Sequence, residues 1–102
     1  MVPAMQTDVW LETVPNTIPA LVVAYVKTDH AAQLTYRMDL RNIGKAGTSR
    51  ISQSGTRHAG PGEKTELGKV SVSSQPGDDC KIAVSMREGT QDRGTFRFDC
   101  PR

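Results

Sequence analysis

The sequence predicts an all-β fold, an immunoglobulin-like seven-stranded antiparallel β-sandwich, on three observations. First, Gln33 to Asn42 alternates cleanly: Leu34, Tyr36, Met38 and Leu40 point one way, and Gln33, Thr35, Arg37, Asp39 and Arg41 point the other. Second, Cys80, Ile82, Val84 and Met86 alternate in the same manner with Lys81, Ala83, Ser85 and Arg87. A period of two is the mark of a strand with one wet face. Third, short polar connections carrying Gly and Pro separate seven such segments within 102 residues, a usual length for one sandwich domain. A single domain over residues 1–102 follows, with no internal repeat and no low-complexity tract.

Each element has its own reason. Val9 to Val14 carries apolar residues and Trp10, and Pro15 ends it. Asn16 to Pro19 is a turn. Ala20 to Val26 is a β-branched apolar run too short for a typical helix, so it reads as a buried strand, broken by Thr28-Asp29-His30. After the alternating Gln33–Asn42 strand, Gly44 to Gly47 forms a loop. Ser49 to Thr56 is polar with Ile51 as its apolar anchor, which suits an edge strand, because low hydrophobicity there guards against unwanted pairing. Ala59-Gly60-Pro61-Gly62 is a turn. Thr65, Leu67, Val70 and Val72 mark the next strand, with Gly68 at a bulge, and Pro76-Gly77 turns the chain again. Glu88 to Gly94 connects the Cys80–Arg87 strand to a final one over Thr95–Cys100.

Composition sets the boundaries. The hydrophobic fraction is 36%, so the core is thin and a covalent staple would help. The longest apolar run, Ala20 to Val26, falls far short of the roughly 20 residues of a membrane helix, and no membrane span is expected. The N-terminus lacks the basic, apolar and small-residue succession of a signal peptide. An exported precursor would already have lost that peptide, and Met1 then reads as an expression start. The net charge of +2, from 13 basic and 11 acidic side chains, is too small to imply a nucleic-acid partner.

The two cysteines pair by register. When the last two strands fold into a hairpin with Thr90 near its centre, Ile82 faces Phe98, Val84 faces Phe96 and Cys80 faces Cys100. One register therefore gathers the apolar residues on one face and opposes the two thiols. A Cys80–Cys100 disulfide is predicted. At a non-hydrogen-bonded pair the Cα atoms would lie about 4.5 Å apart, within disulfide range. The other reading is two free thiols packed as small hydrophobes. His30 and His58 add no metal-ligand spacing, and there is no Cys-x-x-Cys redox motif.

No catalytic constellation is present in the sequence. It holds no nucleophile elbow, no phosphate loop and no paired-His zinc motif. Gly60-Pro61-Gly62 lacks the following helix that a phosphate cradle needs. His30 and His58 read as solvated loop residues, Asp78-Asp79 as a solvated turn, and Trp10 and Tyr25 as core or rim residues. Neither an enzyme activity nor a cofactor nor a metal is expected.

The distribution of charge is more informative than its sum. In an immunoglobulin-like sheet the Gln33–Asn42 strand and the C-terminal hairpin are neighbours. Their outward side chains then include Arg37, Arg41, Lys81, Arg87 and Arg97, against the acidic Asp39 and Asp99. These five cations either keep an exposed β-face in solution or form an electrostatic docking face for a protein partner.

From Gly47 to Pro101 the chain resembles the periplasmic curli amyloid-inhibitor proteins of the CsgC/CsgH group. The matching stretches are Ile51 to Gly55, Pro61 to Glu63, Leu67 to Ser73, Pro76 to Asp79 and Lys81 to Met86. None is catalytic, and their order and spacing carry the likeness. The resemblance implies an immunoglobulin-like sandwich in the periplasm of a Gram-negative bacterium. It implies a chaperone-like inhibitor, working at low ratio and without ATP, that keeps curli subunits from polymerising before secretion. One branch of the group carries a Cys-x-Cys motif at the start of a central strand. Leu34 and Tyr36 stand at the corresponding positions here, so the chain is more similar to the CsgH branch and a redox role is in doubt.

The expected partner is a curli major subunit or a similar amyloidogenic secreted protein, met by a monomer through the basic face, with β-augmentation along Ser49–Thr56 as a second mode. Two rival functions remain: a structural or adhesive β-sandwich module of the cell envelope, and a thiol oxidoreductase using the cysteine pair.

Overall fold

The computed structural model describes residues 7–101; Met1, read above as an expression start, lies outside them. Seven strands follow in chain order: β1 (Thr7–Thr13), β2 (Ala20–Thr28), β3 (Ala32–Gly44), β4 (Gly47–Ala59), β5 (Thr65–Val72), β6 (Asp79–Glu88) and β7 (Gln91–Asp99). They form two antiparallel sheets, one ordered β1-β2-β5 and the other β4-β3-β6-β7. The β3, β6 and β7 strands are neighbours, as the immunoglobulin-like reading requires.

Alternation builds the layer between the sheets. Leu34, Tyr36, Met38 and Leu40 of β3 and Cys80, Ile82, Val84 and Met86 of β6 are buried, facing Val22, Ala24 and Val26 of β2 and Leu67, Val70 and Val72 of β5. Burying each of the large apolar side chains contributes about 1.5–3 kcal/mol. Tyr36 reaches across to two glycines. A Cβ on Gly55 would lie 3.1 Å from Tyr36 Cε1, and one on Gly68 would lie 3.2 Å from Tyr36 Cε2. The ring occupies the space that their missing side chains leave.

The predicted bulge at Gly68 is present. Val23 pairs with Lys69 but Tyr25 pairs with Glu66, so Leu67 and Gly68 together oppose Ala24, and both are buried.

The C-terminal hairpin follows the expected pairing at Ile82–Phe98 and Val84–Phe96. Its turn is tighter than expected. Gly89 and Thr90 alone connect the strands, with Gly89 at φ 59°, a first central position that demands glycine. The slack is taken up inside the ladder: Met86 pairs with Gly94 but Arg87 pairs with Asp92, leaving Arg93 as the extra residue. An Asp92 carboxylate oxygen accepts from the Gly94 amide at 2.7 Å and holds this bulge.

The Cys80–Cys100 disulfide is formed, with Cα atoms 5.4 Å apart. The pair differs from expectation in kind. Cys100 N–H donates to the Cys80 carbonyl at 3.1 Å, so this is a hydrogen-bonded site with its wider Cα spacing.

The β3–β4 hairpin is longer and more regular than its sequence suggests. All thirteen residues of β3 pair in unbroken register with the thirteen of β4, closed by Lys45–Ala46 where a four-residue loop was expected.

Candidate protein-binding face

The outward side of the β4-β3-β6-β7 sheet is built by strand parity. Because the core takes the even-numbered residues of β3 and β6, the odd-numbered ones face outward. All five predicted cations lie on this side. Arg37 and Arg41 stand on β3, Lys81 and Arg87 on β6 and Arg97 on β7, and all are exposed. Lys81 and Arg87 are six residues apart on β6, about 20 Å along the strand.

The registers arrange these residues in rows across the sheet. One row runs Arg50, Arg41, Lys81, Asp99; the next runs Ser52, Asp39, Ala83, Arg97; a third runs Ser54, Arg37, Ser85, Thr95; and a fourth runs Thr56, Thr35, Arg87, Asp92. The sequence reading missed Arg50. It also counted only Asp39 and Asp99 as acidic members, whereas Asp92 ends the Arg87 row on β7.

The five cations are not equivalent. Arg37 Nε donates to Asp39 Oδ2 at 3.0 Å on its own strand, and Lys81 pairs with Asp99. Partial burial pulls the Asp39 carboxyl upward, but hydrogen bonds from Ser52 and Arg37, together with the Arg37 charge, outweigh it and hold the group below its ordinary value. Asp39 therefore stays ionised and neutralises Arg37 locally. Among the described residues, Arg41, Arg50, Arg87 and Arg97 meet no carboxylate at ion-pair distance. The usable positive charge lies in these four.

Such a face can attract carboxylates and donate many hydrogen bonds while presenting a largely polar surface. Its exposed charges are screened by salt, so each contact is weak and exchanges readily.

The outer face of the β1-β2-β5 sheet has a different chemistry. Trp10 and Tyr25 stack with centroids 5.9 Å apart, and Lys64 Nζ lies 4.2 Å from the Tyr25 ring centre. Glu12 joins them, accepting from Trp10 Nε1 at 2.8 Å and pairing with Lys64 at 2.7 Å. The hydrogen bond from Lys64 and the one from Trp10 hold the Glu12 carboxyl below its ordinary range. The two aromatics are rim residues of a self-satisfied cluster.

His30 lies between β2 and β3 and stays part-exposed, as expected of a loop residue, but it also has two carboxylate partners. Its Nδ1 lies 2.8 Å from Asp29 Oδ1, and its Nε2 lies 3.3 Å from Glu88 Oε2 at the end of β6. Arg93 Nη2 holds the same Glu88 at 2.9 Å. The Asp29 hydrogen bond first, and the Glu88 contact after it, raise the His30 pKa against a smaller opposing effect of burial. Asp78 is likewise a structural cap: its Oδ2 accepts from Gln75 N at 3.0 Å and from Asn42 Nδ2 at 3.3 Å.

Comparison with known proteins agrees with this architecture. The family model described as CsgH protein matches residues 17–93. The solution structure of R. palustris CsgH is similar over 92% of each chain, with a TM-score of 0.72 at 17% identity. The E. coli curli protein CsgC is similar over 95% of this chain and 100% of its own, with a TM-score of 0.74 at 18% identity. At these identities the two structures establish the shared fold. No curated protein sequence matches the chain.

Proposed function

Because the chain belongs to the CsgH protein family, we propose that it is a periplasmic, chaperone-like inhibitor that keeps curli amyloid subunits from polymerising before secretion. The reading is supported by the curli protein CsgC among its structural relatives and by the Cys80–Cys100 bridge, which suits an oxidising compartment. One observation carries the mechanism: Arg41, Arg50, Arg87 and Arg97 stand on one sheet face without a carboxylate partner among the described residues.

Amyloid grows as strands add to an exposed template. A β-face whose exposed guanidinium groups lack a protein carboxylate holds an extended, acidic or amide-rich segment through charge-assisted hydrogen bonds. It offers little apolar surface on which a nucleus could form. Arg41, Arg50, Arg87 and Arg97 supply the main attraction, and Arg37 and Lys81 contribute hydrogen-bond donors beside their carboxylates. Contacts of this kind are short-lived, so one monomer visits many client chains. Neither a catalytic step nor a cofactor enters this mechanism.

The test is thioflavin fluorescence of a curli major subunit with the chain present at a small fraction of the subunit concentration. The expected result is a lengthened lag. An unchanged lag ends the proposal. Stable binding of roughly one chain per partner, with no effect on the lag, would mark a structural or adhesive module instead.

A further inference from the structure

The free edge of β4 is built differently from the other sheet edges. Edge strands are commonly blunted by bulges, covering groups or short length. The β5 edge carries the Leu67–Gly68 bulge, and its Lys69 carbonyl accepts from the Gln53 side chain. The β7 edge carries the Arg93 bulge. β1 is only seven residues long. By contrast, β4 runs thirteen residues without a bulge or a proline, guarded by its polar and cationic side chains, and among the described residues only one of its long sides is paired.

Parity identifies which backbone groups lie on that free side. Cys100 N–H donates to the Cys80 carbonyl, so even-numbered residues of β6 bond to β7 and odd-numbered ones to β3. Lys81 opposes Arg41, and Leu40 opposes Ile51. The odd-numbered residues of β4 therefore bond to β3. The N–H and C=O groups of Thr48, Arg50, Ser52, Ser54 and Thr56 point to the open side. Arg57 Nη1 occupies the Thr56 carbonyl at 3.1 Å. Among the described residues, no backbone hydrogen bond outside the strand ladders reaches Thr48, Arg50, Ser52 or Ser54.

Two side chains beside this edge define what it would accept. Arg50 begins the row Arg50, Arg41, Lys81, whose carboxylate stands at the far end, on Asp99. Like charges directly opposed across strands are unfavourable, and an anion next to Arg50 would offset them. On the other side of the strand Ile51 is 39% exposed although it points toward the core layer, and it offers an apolar contact.

We propose that the Thr48–Ser54 edge of β4 is a strand-docking site for an extended segment carrying a carboxylate beside Arg50 and, one residue along, an aliphatic side chain beside Ile51. The docked segment becomes a fifth strand of the β4-β3-β6-β7 sheet, with its backbone satisfied by β4. A second copy of β4 is a poor occupant, because it would bring another Arg50 and Arg57 to an edge that is already cationic. Assigning the segment to an amyloidogenic client rests on the function proposed above; the site itself does not.

The probe is a short capped peptide, Thr-Val-Glu-Val-Thr-Val-Thr, added to the isotope-labelled chain while amide hydrogen exchange is followed by NMR. The expected result is slowed exchange at Arg50, Ser52 and Ser54, with Ile51 and Gln53, already in the ladder, unchanged. Ser52→Pro removes one edge donor and leaves the β3 ladder intact, and it should weaken peptide binding about tenfold. Arg50→Glu should weaken this peptide and favour one with Lys in place of Glu. Lys27→Glu on the opposite sheet should leave binding unchanged.

Four results would overturn the proposal: no binding at millimolar peptide, protection without the alternate pattern, wild-type binding by Arg50→Glu, or a dimer formed through β4 in the absence of peptide. If Ser52→Pro fails to fold, the charge swap between Arg50→Glu and the Lys peptide decides. Peptide docking with an unchanged amyloid lag keeps the site and removes the client. A lengthened lag without edge protection does the reverse.

Discussion

Arg41 and Arg50 stand directly opposite each other across the β3–β4 ladder, and Lys81 stands on the other side of Arg41 in the same row. Among the described residues, only Lys81 of this row reaches a carboxylate, on Asp99. A folded protein gains nothing from such a row, since like charges in register cost about 0.2–1 kcal/mol per pair. The arrangement is intelligible if the charge is kept for a partner. Arg50→Thr should therefore raise stability by about 0.2–1 kcal/mol at low ionic strength, and the gain should shrink as salt screens the row. Thermal unfolding of both proteins at low and high salt checks this. A stability loss at low salt would contradict it.

The Cys80–Cys100 bridge closes a loop with a sequence separation of 20. Replacing both cysteines by serine should cost roughly 3 kcal/mol, largely by freeing the unfolded chain. Urea unfolding measures the loss. A change well below 1 kcal/mol would mean that the thin core needs no staple.

His30 predicts a pH dependence with a definite sign. Its folded pKa is raised above the ordinary 6.5. The contribution is thus fully present below 6.5 and disappears as pH rises through the raised value. The groups facing it are Asp29 and Glu88, the latter shared with Arg93. Between about pH 6 and about pH 8 the wild-type melting temperature should fall more than that of His30→Gln. Parallel curves for the two proteins would remove the assignment.

Gly68 tests the packing between layers. A Cβ there meets Gln53 Oε1 at 3.0 Å and Tyr36 Cε2 at 3.2 Å. Gly68→Val should destabilise by about 1–3 kcal/mol through overpacking. Adding Tyr36→Leu should recover part of the loss, because it removes the ring that the new methyl groups strike. Differential scanning calorimetry of the single and double variants reads both effects.

The sequence displays most of the fold because local pattern and global pairing agree. Along β3 and β6 every buried apolar residue falls on one parity, and one register brings Ile82 to Phe98 and Cys80 to Cys100. Where local chemistry overrides periodicity, the pattern is silent. The extra residue Arg93 arises from the Asp92–Gly94 side-chain turn, which leaves no periodic trace.

Arg50 was hidden because β4 is polar on both sides and Gly44–Gly47 resembles a loop. Read as a two-residue turn at Lys45–Ala46, the same stretch sets Arg50 against Arg41. The His30–Glu88 contact spans 58 residues and joins the β2–β3 connection to the end of β6. It becomes visible only once the sandwich is closed.

Client binding by the β4-β3-β6-β7 face is tested by the thioflavin lag of a curli major subunit with wild-type chain or with the Arg41→Glu/Arg97→Glu variant, both confirmed as folded. Wild type at a small fraction of the subunit concentration should lengthen the lag, and the variant should return it toward that of the subunit alone. Equal inhibition by the two proteins would contradict a client-binding role for this sheet face.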